Sequence, residues 1–292
     1  IARLKANQNP VKVCTKLKGS IMSAVDQFKK GQLYRFIILT YVIFWVLLGM
    51  TGLAISLGIP PVVEIVLKNI CAWSSTFAIL ILFKRIYPQK SLIEHLKDNF
   101  SPKIKLWTIG HIVLIQGSVF LLALISYSIV NNVKLAALDF IAPASILPIL
   151  IINLTSGAVG EELGWRGFAY QQFRQKYSLI QSAVLIGLIW GFWHFPLWLL
   201  SGYQGGELFL YIVVFMISII EVSILIALFY DKNRNLFLPI LIHFLYNVLL
   251  QTVKIDLIPL FIYTAIFNGV AIIVLYLAQR TSVKQGAEIG EL

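Results

Sequence analysis

Residues 36–59 read FIILTYVIFWVLLGMTGLAISLGI, 24 residues without a charge. A membrane-spanning helix needs about 20 apolar residues. The run begins after Arg35, and it starts later and runs longer than the apolar core of a cleaved secretory signal. It reads as a retained transmembrane helix. The rest of the chain repeats this pattern. Of its 292 residues, 59% are hydrophobic and 13% charged, and mean hydropathy is +0.84. A soluble domain has about 25% charged residues, so this chain lacks the charge to cover a soluble surface. The apolar stretches run its whole length, which excludes a single-pass anchor on a soluble domain. The same composition excludes a disordered or nucleic-acid-binding protein despite the net charge of +11. The expected fold class is all-α, a polytopic membrane helix bundle embedded in a lipid bilayer.

Eight apolar stretches are candidate spans: Phe36–Ile59, Ile65–Phe83, Leu106–Val130, Ile141–Tyr170, Leu179–Leu200, Leu208–Tyr230, Leu236–Val253 and Leu257–Ala278. With these bounds, 21 of the 24 Lys and Arg fall on one side. The exceptions are Lys68, Lys134 and Lys254. The positive-inside rule then places both termini in the cytoplasm. The expected organisation is a basic N-terminal segment (1–35), an eight-helix domain (36–278) with its chemistry in 141–253, and a cytoplasmic tail (279–292). Within the first segment, Val13, Leu17, Ile21, Val25 and Phe28 recur at spacings of three and four between lysines. That pattern suits an interfacial amphipathic helix. The tail after Arg280 is expected to be unstructured. Cys14 and Cys71 are read as two unpaired thiols, since two cysteines make no disulfide framework.

Ionisable groups within membrane segments are costly, so each needs a reason. Three constellations stand out. In Gly160-Glu-Glu-Leu-Gly-Trp-Arg-Gly167, Glu162 and Arg166 share a helix face and can pair, while Glu161 points about 100° away. One negative charge is left over, which needs a proton, a cation or an imidazolium. In Trp190-Gly-Phe-Trp-His194, the indole lies one turn before the imidazole. In His243-Phe-Leu-Tyr-Asn247, an imidazole and a carboxamide sit side by side. Taken singly, each has a structural reading: a helix-end ion pair, a satisfied core histidine and interhelical hydrogen bonding. Depths counted from the cytoplasmic helix ends, about 14 Å for Glu161, 10 Å for His243 and up to 22 Å for His194, allow all three to converge. A Glu and two His in one cavity suit activation of water, with Asn247 and one His as donors to an oxyanion.

Glu161-Glu162-x-x-x-Arg166, an aromatic-x-x-x-His194 and His243-x-x-x-Asn247, in this order on successive helices, resemble the CAAX protease and bacteriocin-processing (CPBP, or Abi) family. That family of intramembrane endopeptidases includes the type II CAAX prenyl endopeptidases. The likeness covers roughly Ile141 to Val253. It implies Glu161 as general base, His194 holding the catalytic water, His243 and Asn247 on the oxyanion, and Glu162 and Arg166 fixing helix geometry. The family's second motif usually begins with Phe, and Trp190 stands there in this chain. That change is expected to bear on pocket shape more than on catalysis. The resemblance leaves open whether the site is metal-free or holds Zn²⁺ on Glu161, His194 and His243. The absence of a His-Glu-x-x-His helix favours the metal-free form.

The expected substrate is a peptide or lipidated protein tail, and the expected location is a bacterial plasma membrane. CAAX-type processing, peptide or bacteriocin maturation, and immunity are all compatible with the family. Two other function classes stay open: a proton-coupled transporter or channel, and a catalytically silent immunity or scaffold protein. No repeated half with paired broken helices supports the transporter. Glu221 is expected either to face the cavity or to pack with an Asn or Ser partner. His111 is expected near the interface, and His95 is expected to be solvent-exposed.

Overall fold

The computed structural model describes the backbone of residues 10–290 and the side chains of residues 31–281. The described residues form a helical bundle with no named strand, and a single isolated bridge joins Phe140 to Val253. The helices are α1 (Pro10–Ser56), α2 (Pro61–Ala72), α3 (Ser74–Ile86), α4 (Leu92–Phe100), α5 (Leu106–Val130), α6 (Pro143–Arg174), α7 (Leu179–Trp193), α8 (Phe195–Leu199), α9 (Gly205–Asn233), α10 (Phe237–Gln251) and α11 (Leu257–Gly290).

All eight apolar stretches are helical, but they are not eight equal spans. Among the described residues, α1, α5, α6, α9 and α11 are long and apolar enough to cross a membrane. The pair α2 and α3 makes a sixth if it is taken as one span bent by 49°. The remaining two, α7 and α10, have 15 residues each and fall short of the usual crossing length. Large apolar side chains on the outer faces stay exposed, among them Val46, Met50 and Leu53 on α1 and Ile273 and Val274 on α11. A patch of that extent needs an apolar surrounding. The protein is an integral membrane protein.

Three breaks in the expected helices have local causes. The stretch expected to run unbroken from Leu179 to Leu200 stops at Trp193, and α8 begins at Phe195. Pro196 cannot donate to the carbonyl four residues back, and its ring would collide there. The break leaves His194 between two helices, with its own N–H turned back to Gly191 and Phe192. The bend at Trp73 lets two side chains reach α6: the Trp73 indole donates to Thr155 O at 2.7 Å and Ser75 Oγ donates to Glu161 O at 2.9 Å. Two glycines make this approach possible. A Cβ at Gly160 would lie 2.7 Å from the Trp73 ring, and one at Gly164 would lie 2.6 Å from Ser75 O. Small residues four apart let membrane helices touch backbone to backbone. Within α6, Leu154–Ala158 and Trp165–Tyr170 are π-helical turns flanking the two glutamates. Such widened turns are frequent at functional sites.

The helix α10 packs on α5, α6 and α9, and α9 packs in turn on α7 and α11. The core between them is aromatic: Phe36 meets Trp165 and Phe168 edge-on at 5.6 and 5.1 Å, and Trp165 meets Trp193 at 6.3 Å. The backbone of residues 10–30 continues α1, whereas the proposed apolar face of Val13 to Phe28 and the thiol of Cys14 lie outside the described side chains. Cys71 is buried and unpaired. The segment after Arg280, expected to be unstructured, continues α11 as helix through Gly290.

His95 corrects a further expectation. It is buried rather than exposed, between the rings of Phe83 and Tyr87 at 5.5 and 4.6 Å. Its helix α4 opens with a Ser91–Glu94 capping box. Asn235 Nδ2 closes the other end, donating to Phe100 O and Pro102 O at 2.7 Å each. Burial, aided by Lys90 and opposed by Asp98, holds the His95 imidazole below its ordinary 6.5. The unfolded segment therefore binds a proton more readily than the folded one. The stability contributed by neutral His95 is complete above 6.5 and is lost as pH falls below it. Hydrogen exchange over residues 92–100 is expected to show faster opening at pH 5 than at pH 8, and His95→Phe is expected to remove that difference.

Candidate active site

The two adjacent glutamates occupy the α-helical turn between the π turns of α6. Glu162 is fully buried, and Arg166 one turn on is 1% exposed. Arg166 Nη1 donates to Glu162 Oε1 at 3.0 Å, as their spacing predicts. The same oxygen also receives His243 Nδ1 from α10 at 2.8 Å, a contact no spacing reveals. A buried carboxylate flanked by a guanidinium only accepts, so Nδ1 of His243 carries the hydrogen. Its Nε2 then turns the other way. It approaches Gly157 in the first π turn, where a Cβ would lie 3.2 Å from it and 3.1 Å from Asn247 Nδ2. Glycine at 157 thus leaves His243 and Asn247 side by side.

Glu161 is 4% exposed and is held from α7: the Trp190 indole donates to its Oε2 at 2.5 Å. Trp190 connects the whole site. The Arg166 guanidinium lies 4.3 Å from its ring centre, and the rings of His243 and His194 lie at 4.9 and 5.9 Å. Its carbonyl meets His194 Nδ1 at 2.8 Å. A carbonyl can only accept, so His194 Nδ1 carries the hydrogen and Nε2 keeps its lone pair. The helix break before Pro196 is what frees His194 to turn back in this way.

The indole contact adds a hydrogen bond to the wall that Trp190 was expected to form. Phenylalanine has no N–H to offer Glu161. Trp190→Phe is expected to keep the fold, because an aromatic wall remains. Cleavage of a peptide substrate is expected to fall about tenfold or more, the effect of losing one charge-assisted hydrogen bond. A thermal melt beside the rate measurement separates the two effects.

A cavity of about 120 Å³ opens between these groups, and Glu161, Trp190, His194, His243 and Asn247 all line it. Its wall also includes Phe215, Ser218 and Tyr246, which the sequence reading passed over. Tyr246 stood next to Asn247 inside a motif already singled out. Nothing in the sequence marked Ser218 or Gly157. His111 meets Trp107 edge-on near the start of α5, with ring centres 4.3 Å apart, and does not line the cavity. Glu221 is absent from the lining too.

The alternative of a zinc site can be tested on this donor set. Among the described residues, no three His, Cys, Asp or Glu side chains are grouped to hold a metal ion. Glu161 turns one oxygen to the indole, and His243 turns one nitrogen to Glu162. Such partners would orient metal ligands equally well, so the misfit to the ion lies in the spacing of these side chains.

Two likenesses to known proteins overlie this geometry. Residues 143–249 match the family model described as Type II CAAX prenyl endopeptidase Rce1-like. That stretch carries Glu161, Glu162, Arg166, Trp190, His194, His243 and Asn247. The chain is also 33% identical over 174 residues to CAAX prenyl protease 2 of Methanococcus maripaludis. That alignment covers 54% of this chain and 64% of the relative, so it spans less than two thirds of the relative's length.

Proposed function

We propose, from the match of residues 143–249 to the Type II CAAX prenyl endopeptidase Rce1-like model and from the likeness to a CAAX prenyl protease, that the protein is an intramembrane endopeptidase of that family. In this reading it hydrolyses a peptide bond near the C-terminus of prenylated, membrane-associated substrates on the cytoplasmic side. The observation that carries the reading is the convergence of Glu161, His194, His243 and Asn247, from three helix systems, on one cavity.

The hydrogen bonds of Glu161 and His194 support one division of roles. Oε2 of Glu161 is held by the indole, so Oε1 accepts one hydrogen of a water. His194 Nε2, with its lone pair, accepts the other. The water oxygen then points a lone pair at the substrate carbonyl carbon. As the C–O bond forms, Glu161 takes the proton. Negative charge develops on the carbonyl oxygen, and Asn247 Nδ2–H meets it. His243 contributes a second donor when its Nε2 is also protonated. Glu162 Oε1, 2.8 Å from Nδ1, holds the ring in place for that contact. Preorganised donors of this kind contribute about 2.7–4 kcal/mol each to such transition states. Collapse of the intermediate breaks the C–N bond, and Glu161 returns its proton to the departing nitrogen.

The experiment uses the full chain in detergent or liposomes with two peptides of one sequence, prenylated and unprenylated, with and without chelator. Cleavage of the prenylated peptide that persists in chelator is the expected result. A chelator that abolishes cleavage overturns the metal-free chemistry. Absence of cleavage with both peptides overturns the protease reading.

A further inference from the structure

A second, smaller cavity of about 10 Å³ lies next to the first. Tyr246 and Leu250 line both cavities, so they form the wall between them. The small cavity is also lined by Phe120, Leu249, Thr264 and Asn268. Around this wall, polar atoms lack protein partners. Ser218 Oγ, Tyr246 Oη, Glu221 Oε2 and Asn268 Nδ2 are all buried without a hydrogen-bond partner among the described residues. They come from three different helices, α9, α10 and α11. Ser218 and Glu221 are one turn apart on α9. The other oxygen of Glu221 rests against α11, where a Cβ at Gly269, beside Asn268, would lie 3.1 Å away.

Each orphaned buried polar atom costs about 1–3 kcal/mol. Four such atoms lie near one wall, and one shared partner would serve them. A space of about 10–15 Å³ admits one water molecule, which needs two to four polar neighbours. This site offers an amide N–H from Asn268 and a hydroxyl on Tyr246. Thr264 Oγ1, itself donating to Leu260 O at 2.8 Å, keeps lone pairs free to accept.

We propose that the small cavity is a water-binding site that replenishes the hydrolytic cavity. Asn268 and Thr264 hold water at its inner end, Glu221 stands beside them outside the lining, and the Tyr246 hydroxyl passes the water through the wall. The proposal rests on the hydrolase reading in one respect: each cleavage consumes a water molecule inside an apolar bundle, and that molecule must be replaced. Glu221, which the sequence left without a task, acquires one. Gly269 is small because the carboxylate sits against it.

The test has one arm that does not depend on cleavage. In X-ray radiolytic labelling of the full chain in micelles, hydroxyl radicals born from bound water oxidise the side chains around it. Phe120 and Leu249 line the small cavity and not the catalytic one. They are expected to be oxidised in the unaltered protein, and several-fold less in Asn268→Leu. Equal labelling in the two proteins overturns the water site.

The second arm is kinetic. Glu221→Leu and Asn268→Leu are expected to lower kcat about tenfold with KM unchanged, the size of one lost hydrogen bond. Their melting temperatures are expected to hold, because the buried polar group and the water that pairs it leave together. Glu221→Gln, which still binds water, is expected to keep kcat within about twofold. A kcat that falls only in step with melting temperature, without rescue by Glu221→Gln, overturns the supply role. Labelling as expected in a chain that cleaves no peptide upholds the water site and overturns the protease reading instead.

Discussion

Glu161→Gln is expected to reduce cleavage about 10²–10⁴-fold, the usual contribution of a positioned general base. The substitution keeps the shape of the side chain and one oxygen to accept from the Trp190 indole, so the cavity wall stays in place. It removes the only carboxylate that lines the cavity among the described residues, and with it the group proposed to take the proton from water. The loss is expected in kcat more than in KM, because the missing interaction belongs to the transition state. The melting temperature is expected to hold, since amides bury more cheaply than carboxylates. Rate against prenylated peptide, with a melt on the same sample, measures both. Cleavage within a few-fold of the unaltered protein would sink the mechanism.

Arg166→Met is expected to produce the largest loss of stability, about 3–5 kcal/mol, because it leaves a buried carboxylate without its guanidinium. Glu162 is fully buried and cannot recruit solvent in place of the lost partner. The apolar stem of Met fills the space beside the Trp190 ring, so the cost reflects charge more than a cavity. Glu162→Gln in the same chain is expected to recover part of the stability, since both charges then go together. It is not expected to recover activity. With an amide at 162, the acceptor that orients the His243 ring through Nδ1 is altered. Fluorescence-detected melts of the single and double variants measure the coupling. Additive losses would show that the two side chains do not act as a pair.

Much of this site was legible before any coordinates, for reasons specific to its residues. Charge inside an apolar chain is conspicuous, so Glu161, Glu162 and Arg166 drew attention by cost alone. Their i, i+4 spacing fixed the Glu162–Arg166 pair. The spacing of His243 and Asn247 likewise placed both on one face of α10. Hidden from such reading were contacts between helices. The Trp190 indole on Glu161 and the His243 imidazole on Glu162 join residues 29 and 81 positions apart. His95 was misread because its own short segment is polar, while the rings that bury it belong to α3 and the turn after it.

Sequence alone determined an all-helical membrane bundle, the places of its apolar stretches and the membership of its polar cluster. Those follow from solvation, which acts residue by residue: an apolar run must leave water, and a charge within it must be accounted for. Tertiary structure decided which stretches are long enough to cross and where they break. It also decided which glutamate faces the cavity and which one holds a histidine. Those depend on how neighbouring helices approach, through Gly160 and Gly164 against α3, through Gly157 beneath His243 and through the stop before Pro196. A hydrogen bond has a direction and a length, and only the packed bundle sets both.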